Sequence, residues 1–269
     1  MYDCIVIGKG PAGISCAIYL KRFNKNVLVI GKDFGSLEKA KSIDNYYAVE
    51  KISGLELAKK GVEQAINLGI EVITDEVLEI DNLTVKTKTK EYETKSIFLA
   101  TGKSNKANIN GINDCPVSFC ATCDGFFFRK KKLALIGHGD FMEHELDVLK
   151  NFTSDITIFS NENSNYNNSV NGKIEKLFVN NDKKCIFVNN ETYEFDGIFV
   201  ATNNDSLAIA KHMGLLTDKD NKFEVDNYKT NIKGIFAGGD AISGLDQVST
   251  SVSDGAKAAV EINKFLKEE

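Results

Sequence analysis

A glycine-rich turn close to the N-terminus constrains this chain more than any other feature. Residues 3–7 (Asp-Cys-Ile-Val-Ile) form a short, mostly apolar run that reads as a buried parallel strand. Gly8-Lys9-Gly10-Pro11-Ala12-Gly13 follows, then helical periodicity from Ile14 to Phe23, then a second apolar run from Asn26 to Ile30. This is a complete βαβ unit with its turn in the expected place. In that setting Gly8 permits the tight turn, Gly10 lets the backbone approach a pyrophosphate, and Gly13 lets the helix pack close to the strand. The helix start offers free N–H groups and a partial positive charge to phosphates. Asp33 lies twenty residues past Gly13, near the place of a ribose-binding carboxylate, although Gly31 and Lys32 disturb that register. The bland alternative is a tight turn that binds nothing.

A second unit of the same kind starts at Leu133–Ile136, turns through Gly137-His138-Gly139, continues as a helix to about Lys150 and reaches a strand at Ile156–Phe159. Before it, residues 53–69 read as a helix. Between Glu71 and Phe98 the pattern alternates, and a small antiparallel region is expected from Val72–Thr74, Val77–Ile80, Leu83–Lys88 and Glu91–Thr94. Ile97 to Gly102 reads as a strand ending at glycine. After the second unit, Asn161–Gly172 is half asparagine and reads as an exposed loop. Further strands fit Lys173–Asn180, Cys185–Asn189, Gly197–Ala201 and residues 234–238, and Gln247–Lys267 reads as a closing helix. The fold class expected is α/β, with two Rossmann-like three-layer domains, the second inserted into the first.

The 269 residues and 42% hydrophobic content suffice for two such cores. A net charge of −5 argues against nucleic acid as a partner, because phosphate neutralisation needs a basic face. No apolar run approaches the roughly 20 residues that span a bilayer. The early glycine turn leaves no room for a cleavable leader, so a soluble, cytoplasmic protein with no membrane partner is expected.

Six cysteines in a chain this long do not make a disulfide scaffold. Cys4, Cys16, Cys115 and Cys185 stand apart, the first two and Cys185 reading as small core residues. Cys120 and Cys123 form a CxxC within Ser118-Phe119-Cys120-Ala121-Thr122-Cys123-Asp124-Gly125. Such a pair closes a small disulfide, and a helix start beside it lowers one thiol pKa. Asp124 adjoins the second sulfur and is placed to shuttle a proton during exchange. Half of a zinc site is the alternative, but no second CxxC or nearby histidine completes it, so no metal is expected. Three further segments favour FAD in the first unit: Ala100-Thr101-Gly102 and Gly238-Gly239-Asp240 at strand ends, and the helix starting near Gln247. An aspartate after a strand accepts from a ribityl hydroxyl, and a helix start aimed at the isoalloxazine favours a reduced, negatively charged flavin.

On these residues, with Asp44-Asn45-Tyr46, Phe126-Phe127, residues 234–240 and Gln247-Val248, the chain resembles the low-molecular-weight thioredoxin reductases over nearly its whole length. The resemblance implies a homodimeric flavoprotein that reduces a thioredoxin-like protein through a redox-active disulfide. It assigns residues 1–108 and 225–269 to a discontinuous FAD-binding domain, and 109–224 to a redox-disulfide domain with a degenerate NADPH-binding-like fold. Cys123 would face the flavin, Cys120 would attack the partner disulfide, and Asp124 would be the acid–base residue. The flavin-binding set is Gly8, Gly10, Pro11, Ala12 and Gly13 at the turn, Lys32, Asn45 and Val77 beyond it, and Ala100, Thr101 and Gly102 after the later strand. Gly239, Asp240, Gln247 and Val248 complete it, Val248 through its backbone N–H.

The second glycine turn departs from the family pattern. Met142 replaces the third small residue and is expected to push the helix off the strand, while Asp140, Glu143 and Glu145 put negative charge where a pyrophosphate would sit. Each such charge opposes the helix dipole by roughly 0.3–1 kcal/mol. Ser160-Asn161-Glu162 stands where ordinary members carry arginines for a 2′-phosphate, and the only arginines are Arg22 and Arg129. This departure resembles the ferredoxin-dependent flavin thioredoxin reductases and implies reduced ferredoxin as electron donor. Arg129–Lys132, or Lys86, Lys88 and Lys90, would dock it. The alternatives are an NAD(P)H-dependent thioredoxin reductase, a second flavin or deazaflavin as donor, and a non-catalytic flavin/thiol redox sensor.

Overall fold

The computed structural model describes residues 1–102, 109–112, 114–119, 121–161, 166, 168–201, 209, 212–219 and 221–268. The chain divides into two compact units, Met1–Ser104 with Met213–Glu269, and Asn105–His212. In the first, the expected βαβ unit forms from β1 (Cys4–Ile7), α1 (Pro11–Arg22) and β2 (Val27–Ile30). Every residue of both strands is buried, which explains why their sequences are continuous apolar runs instead of alternating ones. Pro11 opens α1 at the position where a missing N–H costs nothing. Then come α2 (Gly54–Asn67), β3 (Glu71–Ile73), β4 (Val77–Asp81), β5 (Thr84–Thr87), β6 (Glu91–Glu93) and β7 (Ile97–Leu99). The Ser53 hydroxyl caps α2 by accepting the Glu56 N–H at 3.2 Å.

The second unit carries α3 (Ala121–Asp124), a 3-10 turn over Gly125–Phe128, β8 (Leu133–Gly137), α4 (Gly139–Lys150), β9 (Ile156–Ser160) and β10 (Ser169–Asn171). Next are β11 (Ile174–Asn180), β12 (Lys183–Val188), β13 (Glu191–Phe195) and β14 (Gly197–Ala201). The chain returns to the first unit for β15 (Ile235–Ala237) and α5 (Val248–Glu268). The first unit's main sheet is parallel throughout, in the order β15-β7-β1-β2-β3, with Ile97 in register with both Ile5 and Ile235. The second unit holds the parallel sheet β10-β9-β8-β14 and the antiparallel meander β11-β12-β13. In its core the Phe159 ring meets Phe195 edge-on at 5.6 Å and Tyr193 at 5.4 Å. The α/β class read from the sequence is the architecture found.

Four expectations are corrected. Residues 71–73 leave the antiparallel region and extend the parallel sheet, with Val72 beside Val29. As an edge strand they are only partly buried, with Glu71 exposed, so they lack the continuous buried run of the inner strands. The asparagine-rich stretch holds β10, because the Asn168 amide donates to the Ile156 carbonyl at 2.7 Å and seats the chain beside β9. Glu191–Phe195, not expected as a strand, closes the meander. The units part at 104/105 and 212/213 instead of 108/109 and 224/225. Phe223 explains the second shift: its N–H donates to Ala241 O at 2.8 Å and it bridges Ile242, so residues 213–224 are tied to the first unit.

Candidate functional site

In the first unit the strand ends converge on the glycine turn. Gly8 has φ +110°, and a Cβ there would stand 2.1 Å from the Ala100 carbonyl oxygen. Gly13 is fixed by close approach, since a Cβ would lie 1.9 Å from Gly8 O. Around Gly10 nothing would obstruct a Cβ within 4 Å, so the turn faces open space there. Pro11 and Ala12 form the first turn of α1, with Ala12 buried. Ala100 is held by its N–H to Ile7 O at 2.8 Å, and Gly102 closes the segment after β7. Between them the Thr101 hydroxyl is buried with no hydrogen-bond partner. Such an orphan calls for a polar group from outside the chain.

Gly239 and Asp240 form the short helical turn after β15, where Asp240 Oδ1 accepts the Ser251 hydroxyl at 3.0 Å. Asn45 Nδ2 donates to Gln247 Oε1 at 2.9 Å, bringing two distant candidates together at the start of α5, where Val248 is the first helical residue. A cleft of about 350 Å³ lined by Lys9, Gly10, Pro11, Leu37, Tyr46 and Val248 lies against this group. Two candidates are otherwise engaged: Lys32 pairs with Glu76 at 2.9 Å, and Val77 opens β4 opposite Thr87. Asp33 accepts the Gly35 N–H at 2.8 Å and remains exposed.

Lys9 escaped the sequence reading, although it stands inside the glycine turn. It is 6% exposed, donates to Thr74 Oγ1 at 2.8 Å and lies 5.0 Å from the Phe34 ring centroid. Burial pushes its pKa down against the opposing pull of Asp33 and Glu38.

In the second unit Cys120 and the side chains of Thr122 and Cys123 lie outside the described residues. What surrounds them is defined. The segment before α3 runs beside β14, Ser118 bridging Phe199. The Ser118 hydroxyl donates to Asp124 Oδ2 at 2.7 Å and fixes the carboxylate that follows Cys123. Six residues of separation match no helical or strand period, so this bond had no sequence signal. Phe126 and Phe127 are 57% and 75% exposed, and Arg129 stacks on Phe126 at 4.5 Å from the centroid.

At the second glycine turn Met142 is buried. At the corresponding Gly13 a Cβ would stand 1.9 Å from the Gly8 carbonyl oxygen, whereas here a long side chain is accommodated, its Cγ 3.0 Å from where a Cβ on Gly137 would sit. The side chains of Asp140 and Glu162 lie outside the described residues. The other two charges are not aimed at a phosphate. Glu143 accepts the Tyr166 hydroxyl, and Glu145, 7% exposed, accepts the Ala121 N–H at 2.6 Å. Among the described residues, no helix is long and apolar enough to cross a membrane.

A doubly wound unit with a phosphate-type glycine turn, joined in one chain to a second such unit carrying CxxC, defines a nucleotide-cofactor disulfide oxidoreductase. The chain belongs to the pyridine nucleotide-disulphide oxidoreductase family, whose profile matches residues 2–163 and 142–255. The thioredoxin reductase of Bacillus subtilis (strain 168) is 30% identical over 302 residues, covering 100% of this chain and 96% of that protein. That of Peptoclostridium litorale is 31% identical over 316 residues, covering 100% and 98%. Among solved structures, the atypical thioredoxin reductase TRi from Desulfovibrio vulgaris Hildenborough superposes with a TM-score of 0.90 at 29% identity, covering 100% of this chain and 99% of that one. A ferredoxin-flavin thioredoxin reductase from Clostridium acetobutylicum gives 0.76 at 26% identity, covering 100% and 99%.

The chain is therefore a thioredoxin reductase homologue, and FAD is the cofactor of these flavoproteins. The first unit fits it: an open approach at Gly10, an orphaned hydroxyl at Thr101 and a helix start at Pro11 are what a dinucleotide needs.

Proposed function

We propose that the chain reduces the disulfide of a thioredoxin-like protein through Cys120 and Cys123, with reduced ferredoxin, not NAD(P)H, as the source of electrons. FAD, when bound, supplies the two-electron chemistry that links a one-electron donor to the disulfide. The turn from Gly8 to Gly13, Thr101 and Asp240 would hold it, with Asn45, Gln247 and Val248 at the flavin end. Two electrons and two protons convert the Cys120–Cys123 disulfide to two thiols. The Cys120 thiolate attacks the partner disulfide, forming a mixed disulfide and releasing one partner thiolate. Cys123 then breaks the mixed bond, so the partner leaves as a dithiol and the chain regains its disulfide. Asp124, oriented by Ser118, holds and returns the proton. Phe126 and Phe127 offer the exposed apolar contact that a protein substrate needs beside the sulfurs.

The donor assignment is carried by the buried Met142 in the second glycine turn, where a nucleotide-binding helix needs a small residue for close approach. The homodimer and the cytoplasmic location belong to the same proposal, and sedimentation tests the first. The deciding experiment is anaerobic mixing of the flavoprotein with NADPH, NADH or enzymatically reduced ferredoxin, followed by thioredoxin. Ferredoxin is expected to bleach the flavin absorbance and sustain turnover. Rapid bleaching by either nicotinamide overturns the donor assignment, and bleaching without turnover by any donor favours the redox sensor.

A further inference from the structure

Lysine is an unusual residue to bury, and Lys9, inside the first glycine turn, is 6% exposed. Its side chain runs sideways across the strand ends. A Cβ on Gly31, the residue after β2, would stand 2.8 Å from Lys9 Cγ and 3.2 Å from Lys9 Cβ. The amine then donates to the hydroxyl of Thr74, just after β3, at 2.8 Å. The side chain therefore carries its N–H groups away from the turn above β1, where a pyrophosphate binds, toward the ends of β2 and β3. In a doubly wound unit the end of the second strand is where the adenosine sugar is read, ordinarily by a carboxylate. Here that position is Gly31, and Lys9 fills the space a side chain there would need. Asp33, two residues on, accepts the Gly35 N–H and stays exposed.

The Lys9 amine has more to give than Thr74 takes. An ammonium carries three N–H donors, and even a neutral amine keeps one after the bond to Thr74. No carboxylate among the described residues forms an ion pair with it, and the Phe34 ring centroid lies 5.0 Å away. For packing alone, a methionine would fill the same space without burying an amine. We infer that Lys9 is a cofactor-binding residue that reads the adenosine sugar of FAD, its amine donating to the ribose hydroxyl oxygens. The direction of the hydrogen bond is reversed from the usual arrangement, in which a carboxylate accepts from the same hydroxyls. Two positions are thereby coupled: Gly31 leaves room for Lys9, and Lys9 supplies the polar contact that Gly31 lacks. The inference rests on FAD occupying the first unit and is independent of the electron donor.

The test is competition on the full-length chain. Protein stripped of flavin is refilled with FAD against ADP or 2′,3′-dideoxy-ADP, and bound flavin is measured by absorbance after equilibrium dialysis. Wild type is expected to bind ADP about tenfold more tightly than the dideoxy nucleotide, the worth of one or two hydrogen bonds. Lys9→Met keeps the packing over Gly31 and removes the donor. It is expected to narrow that preference to about twofold and to weaken FAD itself about tenfold. Gly31→Ala is the second variant: it keeps the lysine but crowds its Cγ, and the same narrowing is expected. The inference is overturned if wild type shows no preference between the two nucleotides, including the case in which neither displaces FAD. It is also overturned if no folded variant narrows the preference, or if Lys9→Met weakens both nucleotides by the same factor, which would mark Lys9 as packing or as a phosphate contact. Wild-type protein that takes up no FAD sinks the flavoprotein reading and this one with it. Normal FAD uptake with a sugar preference unmoved in the variants sinks this one alone.

Discussion

Asp196, between β13 and β14, ties β12 to the residue that precedes β8. It accepts Lys183 Nζ at 2.6 Å and the Lys132 N–H at 2.9 Å, while its carbonyl accepts Lys184 Nζ at 2.7 Å. The Lys183 ammonium first, then the Lys132 N–H, hold its carboxyl below the usual carboxylate range. A group whose folded pKa is depressed stabilises the fold above its unfolded pKa, and that contribution is lost as pH falls through the folded value. Asp196→Asn is therefore expected to be less stable than wild type by about 1 kcal/mol near neutrality. In urea melts the difference should shrink as pH drops below the ordinary carboxylate value of 3.8. Equal gaps at both ends of the range would contradict this. At the same scale, the sequence displayed the glycines and the two sulfurs but not their supports. Lys9 to Thr74, Ser118 to Asp124 and Glu145 to Ala121 join residues whose spacing has no period, so only the folded chain brings them together.

Helix α5 lies against α1, and Gly255 is the point of closest approach. A Cβ there would stand 2.1 Å from Ala12 O and 2.9 Å from the Cys16 N, both backbone atoms that cannot swing aside. Gly255→Ala should force the helices apart, at a cost of about 3 kcal/mol, and loosen the first turn of α1 that belongs to the proposed flavin site. Thermal unfolding and the flavin-to-protein ratio after dialysis would both fall. An unchanged melting temperature would show that α5 has room to move. Elements with strong periodicity, such as α1, α4 and α5, were legible from the sequence to within a few residues. Those that failed carried a misleading local pattern. Residues 71–73 lack the buried apolar run of an inner strand because they form a sheet edge, and the asparagines near β10 look like loop residues although Asn168 docks a strand.

Across the whole molecule the four described thiols share one environment. Cys4, Cys16, Cys115 and Cys185 are all buried, and burial pushes each of their thiols up, that of Cys4 to about 12. Reduced, folded protein should therefore titrate two fast thiols with an aromatic disulfide reagent, and denatured protein all six. More than two fast thiols in the native state would mean that a buried cysteine is reachable. The return of the chain to its first unit carries a different cost, one set by the order of synthesis. While a ribosome is still making the first two hundred or so residues, β7 has a bare edge where β15 will pair, and the α1 face that awaits α5 is uncovered. The nascent first unit thus exposes apolar surface until the final helix emerges, whereas the second unit is already complete in sequence. Loss of the last segment by early termination should leave an insoluble, flavin-free product even with every cysteine in place.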